Sequence, residues 1–202
     1  MDSIDYYERY GSAYFEETVD LKMDDMLERF AAYLPENAEL LDLGCGSGRD
    51  TLWLEEAGFS VTMLDGSMQM CQLAEIHTDH EVLHMTFEEM DFHEVFDGIW
   101  ACASLLHVPE EEIDSIMEKV SDALKPGGFL YLSFQYGEDQ EIRGHRFYHD
   151  YTEKSAHRMV ERQRDLRVLE TWVTRDAREG RHQKKWVNVI AKKHGSLEES
   201  DE

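Results

Sequence analysis

An α/β fold built on a doubly wound, mostly parallel sheet is what this sequence predicts, and three observations carry the prediction. Short apolar runs alternate with helical stretches between residues 40 and 134. The central runs, such as Phe129-Leu130-Tyr131-Leu132, are apolar without interruption. Two further β-like runs near the C-terminus are separated only by Arg175–Lys184. Uninterrupted apolar strands belong in a sheet covered on both faces. The last connection is too short for a crossover helix, so those two runs pair as an antiparallel hairpin.

In chain order, residues 3–34 read as helical in two pieces broken near Gly11 or Asp20, with Tyr6, Tyr7, Tyr10, Tyr14 and Phe15 along them, and Pro35 ends the segment. Strand-like runs follow at Leu40–Leu43, Ser60–Leu64, Val82–Met85, Gly98–Cys102 and Phe129–Phe134. Helical stretches lie between them at Arg49–Ala57, Met68–Ile76 and Glu110–Leu124. Residues 136–151, rich in glycine, charge and aromatics, read as a loop; Thr152–Arg162 reads as a helix, and Leu166–Thr174 and Lys185–Lys192 form the closing pair.

The chain has 202 residues with 44 acidic and 20 basic side chains, a net charge of −24. The length suits one domain, read as residues 1–194, with 195–202 as a disordered acidic tail. At 42% hydrophobic residues the chain is too apolar to be an acidic disordered segment. So negative a surface disfavours nucleic acid, whose binding needs Lys and Arg to neutralise phosphates, and anionic lipid as well. The charge is uneven: residues 1–142 sum to −27 and residues 143–202 to +3. Cys45, Cys71 and Cys102 lack a C-x-x-C spacing and cannot all pair, which points to a reducing compartment, read here as the cytoplasm. No signal peptide or membrane span is evident. His77 and His80 flank Asp79 without a further ligand set, so no metal site is expected.

The strongest chemical signal is Leu40-Leu41-Asp42-Leu43-Gly44-Cys45-Gly46-Ser47-Gly48-Arg49-Asp50, a strand running into a glycine turn and then a helix. Residues without Cβ permit a tight turn and let a ligand approach the main chain beside a helix N-terminus. Asp65 ends the next strand 21 positions after Gly44. An acid at that distance, at the tip of the second strand, is placed to accept both hydroxyls of a ribose. The spacing is G-x-G-x-G preceded by Asp42, not the G-x-G-x-x-G of dinucleotide folds.

This arrangement, with Leu124-Lys125-Pro126-Gly127-Gly128 before the fifth strand and the closing hairpin, resembles the class I S-adenosylmethionine-dependent methyltransferases. Within them it looks like the small-molecule branch that includes tellurite-resistance-type and ubiquinone-biosynthesis-type enzymes. The resemblance covers roughly residues 6–193 and implies a Rossmann-like, seven-stranded sheet with S-adenosyl-L-methionine as cofactor. It implies that Asp42 and the loop Gly44, Cys45, Gly46 and Gly48 hold the amino-acid end of the cofactor. Asp65 would bind the ribose, with Gly66 and Met70 near the adenosine.

Where many relatives carry a carboxylate for the adenine, this chain has Met85-Thr86-Phe87, which leaves Thr86, a backbone amide or Glu88 for that contact. The segment Ala101–His107 corresponds to the wall around the reactive methyl. His107 is its residue most able to take a proton near neutral pH, and the alternative is that it only closes that wall. By the same resemblance, residues 1–34 form a helical lid in which Tyr10 or Tyr14 orients substrate, packing being the alternative. The 136–151 loop lies at the active-site rim, where Arg143 and Arg146 would bind an anionic or polar acceptor. The expected function is methyl transfer to a small molecule by a monomer or homodimer. Methylation of a protein or peptide, and a non-catalytic sensor of the cofactor, remain the other readings.

Overall fold

The computed structural model describes residues 3–181 and 183–195, so the expected tail lies, apart from Gly195, outside the described residues. The elements are α1 (Ser3–Thr18), α2 (Asp24–Ala31), β1 (Glu39–Leu43), α3 (Arg49–Glu56), β2 (Ser60–Asp65), α4 (Met68–Thr78), β3 (Val82–His84), β4 (Phe96–Ala101), α5 (Glu110–Ala123), β5 (Leu124–Gln135), β6 (Gln140–Arg143), β7 (Arg146–His149), α6 (Glu153–Glu161), β8 (Leu166–Arg175) and β9 (Lys185–Lys193). Short 3₁₀ turns occupy Phe87–Glu89 and Leu105–His107. Among the described residues, no helix is long and apolar enough to cross a membrane.

Seven strands form one sheet in the order β3-β2-β1-β4-β5-β9-β8, with β9 running antiparallel to both of its neighbours. The expected mostly parallel sheet with an antiparallel closing pair is therefore what forms. Side chains alternate between its two faces, as the twofold period of a strand requires. Leu41 and Leu43 of β1, Ile99 of β4, Leu130 and Leu132 of β5, and Val187 and Val189 of β9 join one core cluster with α5 and α6. Their neighbours Leu40, Trp100, Tyr131 and Ile190 join the other, with Leu27 and Phe30 of α2 and Leu54 of α3. Trp100 and Tyr131 stack across β4 and β5 with centroids 3.9 Å apart. Gly98 lets α2 approach, since a Cβ there would meet Leu34, Leu40 and Phe30 at 2.7–3.0 Å.

One expectation is corrected. The 136–151 segment is not a continuous loop: β6 and β7 pair with Arg143 opposite Arg146. The two residues between them, Gly144 and His145, both have positive φ (55° and 69°), the combination that a tight two-residue hairpin turn requires. Of the two places expected for the N-terminal break, the structure has the one at Asp20, within residues 19–23; Gly11 sits inside α1 against α4, where a Cβ would lie 2.8 Å from Gln69 Cγ.

The strand order reverses between β1 and β4. In an open α/β sheet, the crevice beyond the carboxyl ends at such a switch point is where ligands bind.

Candidate active site

Beyond the ends of β1, β2 and β4 lies a cavity of about 610 Å³. The glycine turn forms its floor. Gly44 and Cys45 donate their N–H groups to the Leu64 carbonyl (2.8 and 3.0 Å), and Gly48 donates to Cys45 (3.0 Å). The Gly46 N–H donates to Asp65 Oδ2 (3.0 Å), and Oδ1 accepts from Ser67 N–H (2.9 Å). These four loop amides are thus engaged internally, so the glycines supply space and not donors. At Gly44, with φ +75°, a Cβ would lie 2.5 Å from Ser104 Cβ. At Gly46 the nearest atom to a Cβ is Tyr14 Cε1 at 4.0 Å, so the loop presents a bare backbone to the cavity.

Asp42 and Asp65 both line the cavity. Asp42 is buried and accepts from the Thr51 hydroxyl at 2.7 Å. Burial and the neighbouring Asp50 carboxylate raise its pKa to about 7. Asp50 itself accepts from Arg49 (2.7 Å) and from the Trp100 indole (2.9 Å), which fixes the start of α3 against the sheet. Burial also raises Asp65, against the two backbone donors that hold it.

His107 sits on the far wall. Its Nδ1 donates to the Phe147 carbonyl at 2.6 Å, so Nε2 carries the lone pair and accepts from the Tyr7 hydroxyl at 2.9 Å. Burial, followed by the cationic Arg146 and Arg143, lowers its pKa to about 4. Tyr7 in turn accepts from Arg146 at 3.2 Å. Upstream, Ala103 adopts φ +54°, a strained state for a residue with a Cβ, braced by its N–H to Ser133 Oγ at 2.9 Å. Burial pushes all three thiols up, Cys71 and Cys102 to about 12, so they stay protonated at neutral pH.

Most of the residues singled out in the sequence meet in this one cavity: Asp42, Gly44, Cys45, Gly46, Asp65, Gly66, Met70, Thr86, Phe87, His107, Tyr14 and Arg146. Four stand outside its wall. Gly48 packs under the loop, where a Cβ would be 2.5 Å from Thr78 Cγ2. Ala101 is buried in the core cluster. Tyr10 is 44% exposed and packs on Tyr6. Arg143 is bound by Asp150 through both terminal nitrogens, which holds it away from the cavity. No local pattern marks Tyr7 among the tyrosines, nor Asp176, Arg178, Trp186 and Asn188, which the closing hairpin brings to the wall. Only the three-dimensional pairing of β8 with β9 places those four here.

The methyltransferase-domain family profile matches residues 40–128. YqeM of Bacillus subtilis (strain 168), carried as a candidate methyltransferase, is 31% identical over 146 residues, 65% of this chain and 58% of that protein. The ubiquinone biosynthesis O-methyltransferase of Xanthomonas axonopodis pv. citri is 29% identical over 115 residues, 53% of this chain and 47% of that one. The chain therefore spans about half the length of these curated relatives. Among solved structures, the 1,6-didemethyltoxoflavin-N1-methyltransferase of Burkholderia thailandensis, bound to its namesake and S-adenosylhomocysteine, superposes with a TM-score of 0.74 at 20% identity, covering 94% of this chain and 85% of that one. That likeness is one of fold.

Proposed function

We propose that the chain is a class I S-adenosylmethionine-dependent methyltransferase and that it transfers a methyl group to a small-molecule acceptor by in-line displacement. The observation that carries this is one cavity shared by a glycine turn without side chains, a strand-end acid and an aromatic wall with a histidine. Its residues fit S-adenosylmethionine. Gly46 offers bare backbone, Ser104 Oγ is buried beside Gly44 without a hydrogen-bond partner among the described residues, and Asp65 keeps lone pairs beyond those facing Gly46 and Ser67.

When bound, S-adenosylmethionine supplies a methyl group on a positively charged sulfur. Asp42 faces the amino-acid end, where an ammonium neighbour would draw its pKa back down. Asp65 would accept from the ribose hydroxyls, and Thr86, Phe87 and Glu88 would flank the base. Tyr14, whose Cε1 lies 4.0 Å from where a Cβ at Gly46 would stand, would wall the cofactor beside the glycine turn. Tyr7 and Tyr14 meet edge to face with centroids 5.0 Å apart, and with α1 they form a lid over the site. Arg146 holds the acceptor. His107 orients Tyr7, and alignment of the reacting atoms supplies much of the rate. Residues 1–194 act as one catalytic domain, and the free thiols fit a cytoplasmic location.

The small-molecule acceptor is supported by the ubiquinone and toxoflavin enzymes among the similar proteins and by a cavity within the range of small-ligand sites. Incubation with methyl-labelled S-adenosylmethionine and panels of carboxylates, phenols, thiols and amines tests it. Label should enter a small-molecule fraction; label found only in protein, or none in any panel or lysate, contradicts the proposal.

A further inference from the structure

We propose that the methyl acceptor is a small planar anion, an aromatic carboxylate, and that Arg146 is the counter-ion that seats it. This rests on the methyl-transfer function above and narrows it to a substrate class.

The first support is the charge on the cavity wall. Arg49 is ion-paired with Asp50 at 2.7 Å and Arg178 with Asp176 at 2.6 Å, while Arg175 is exposed to solvent. Arg146 lines the same cavity with no carboxylate partner among the described residues; it donates to the Tyr7 hydroxyl, and its buried Nε has no hydrogen-bond partner. It is enclosed by rings instead, with Tyr6 at 4.3 Å, Tyr148 at 5.3 Å, Tyr7 at 5.6 Å and Tyr14 at 5.8 Å from the guanidinium carbon. Aromatic faces attract a cation through their quadrupole but carry no net charge. The guanidinium therefore keeps its full charge at the wall, in a chain where acids outnumber bases by 44 to 20. The second support is shape: Tyr7, Tyr14 and Tyr148, which ring Arg146, line the cavity and suit a flat apolar body.

The third is the state of His107, the only histidine on the wall among the described residues. Both ring nitrogens of His107 are engaged, and its surroundings disfavour the imidazolium. An acceptor that arrives ionised needs no base. Its oxygen lone pair forms the new O–CH₃ bond as the S–CH₃ bond breaks with its electron pair left on sulfur. The anion's charge and the sulfonium's cancel, and no proton moves.

Calorimetry on the full chain saturated with S-adenosylhomocysteine tests this, with salicylate as the anionic probe and salicylamide as its neutral counterpart. Salicylate should bind at least about tenfold more tightly than salicylamide, the scale of a hydrogen-bonded charge. Arg146→Gln should lose at least about tenfold in salicylate affinity with S-adenosylhomocysteine affinity unchanged. Arg146→Lys should recover part of the loss by restoring charge without the planar fork. Equal binding of the two probes, no salicylate binding to the loaded protein, or a loss of S-adenosylhomocysteine affinity in Arg146→Gln overturns the proposal; the last would assign Arg146 to the cofactor's own carboxylate. Failure of the parent chain to bind S-adenosylhomocysteine would instead sink the underlying methyl-transfer function.

Discussion

Replacing Asp65 with asparagine should separate the two roles of this side chain. In the folded chain its oxygens accept from Gly46 N–H at 3.0 Å and Ser67 N–H at 2.9 Å. An asparagine has one carbonyl oxygen, so one of these N–H groups faces an amide NH₂ and loses its partner, at about 1–3 kcal/mol. For a chain of this size that is a fall in melting temperature of roughly 2–12 °C. Ligand binding should suffer more. Two ribose hydroxyls donating to a carboxylate each contribute about 1.5–3 kcal/mol, and the substitution removes one contact and the charge from the other. A loss of about 3–4 kcal/mol corresponds to roughly a hundred- to a thousandfold in affinity. Calorimetric titration with S-adenosylhomocysteine measures the second effect, and thermal unfolding without ligand measures the first. A variant that melts early but binds with undiminished affinity would refute the ribose assignment and leave Asp65 as a brace for the loop.

Three further outcomes follow from the geometry. The folded-state pKa of His107, lowered to about 4 by burial and by Arg146 and Arg143, means that the unfolded chain takes up the proton first. Stability is therefore fully present above about pH 6.5 and is lost as pH falls towards 4, by about 3 kcal/mol; His107→Asn should flatten that part of the urea-denaturation profile, and an unaltered profile would count against the buried neutral imidazole. Asp176 is held at about 2 because, against its burial, bonds from Arg178 and Trp186 outweigh desolvation. Its contribution of about 2 kcal/mol is present above pH 4 and lost as pH falls through 2, so Asp176→Asn should remove that acid-side slope without changing the slope near pH 6. Gly48→Ala puts a Cβ at φ +73° and 2.5 Å from Thr78 Cγ2. Strain of about 1–2 kcal/mol plus the clash should lower the melting temperature by several degrees, and a neutral substitution would show that the loop can shift.

The parallel sheet and the cofactor half of the site were legible because their signals are local. A strand, a glycine turn and a helix adjoin in Leu40–Asp50, and Asp65 marks the next strand end, so spacing alone places them together. The β6–β7 hairpin escaped notice because its turn is Gly144-His145, and a histidine at positive φ is not a common turn residue. Arg143 and Arg146 flank that same turn at equivalent positions, and the hairpin gives them different fates: Asp150 captures the first, and the tyrosines of α1 enclose the second. The pairing of Tyr7 with His107 spans 100 residues and depends on where α1 lies over the sheet. The tyrosine pattern suggested a helix face without showing which ring would reach the site. Asp176 and Trp186 are likewise joined only by the β8–β9 register.

The central claim is that the cleft beyond β1, β2 and β4 holds S-adenosylmethionine. Its most direct test is calorimetric titration of the full chain with S-adenosylhomocysteine and, separately, with NAD. Saturable binding of S-adenosylhomocysteine at one site per chain, with no heat from NAD, is the predicted result; saturable NAD binding with no response to S-adenosylhomocysteine would contradict it.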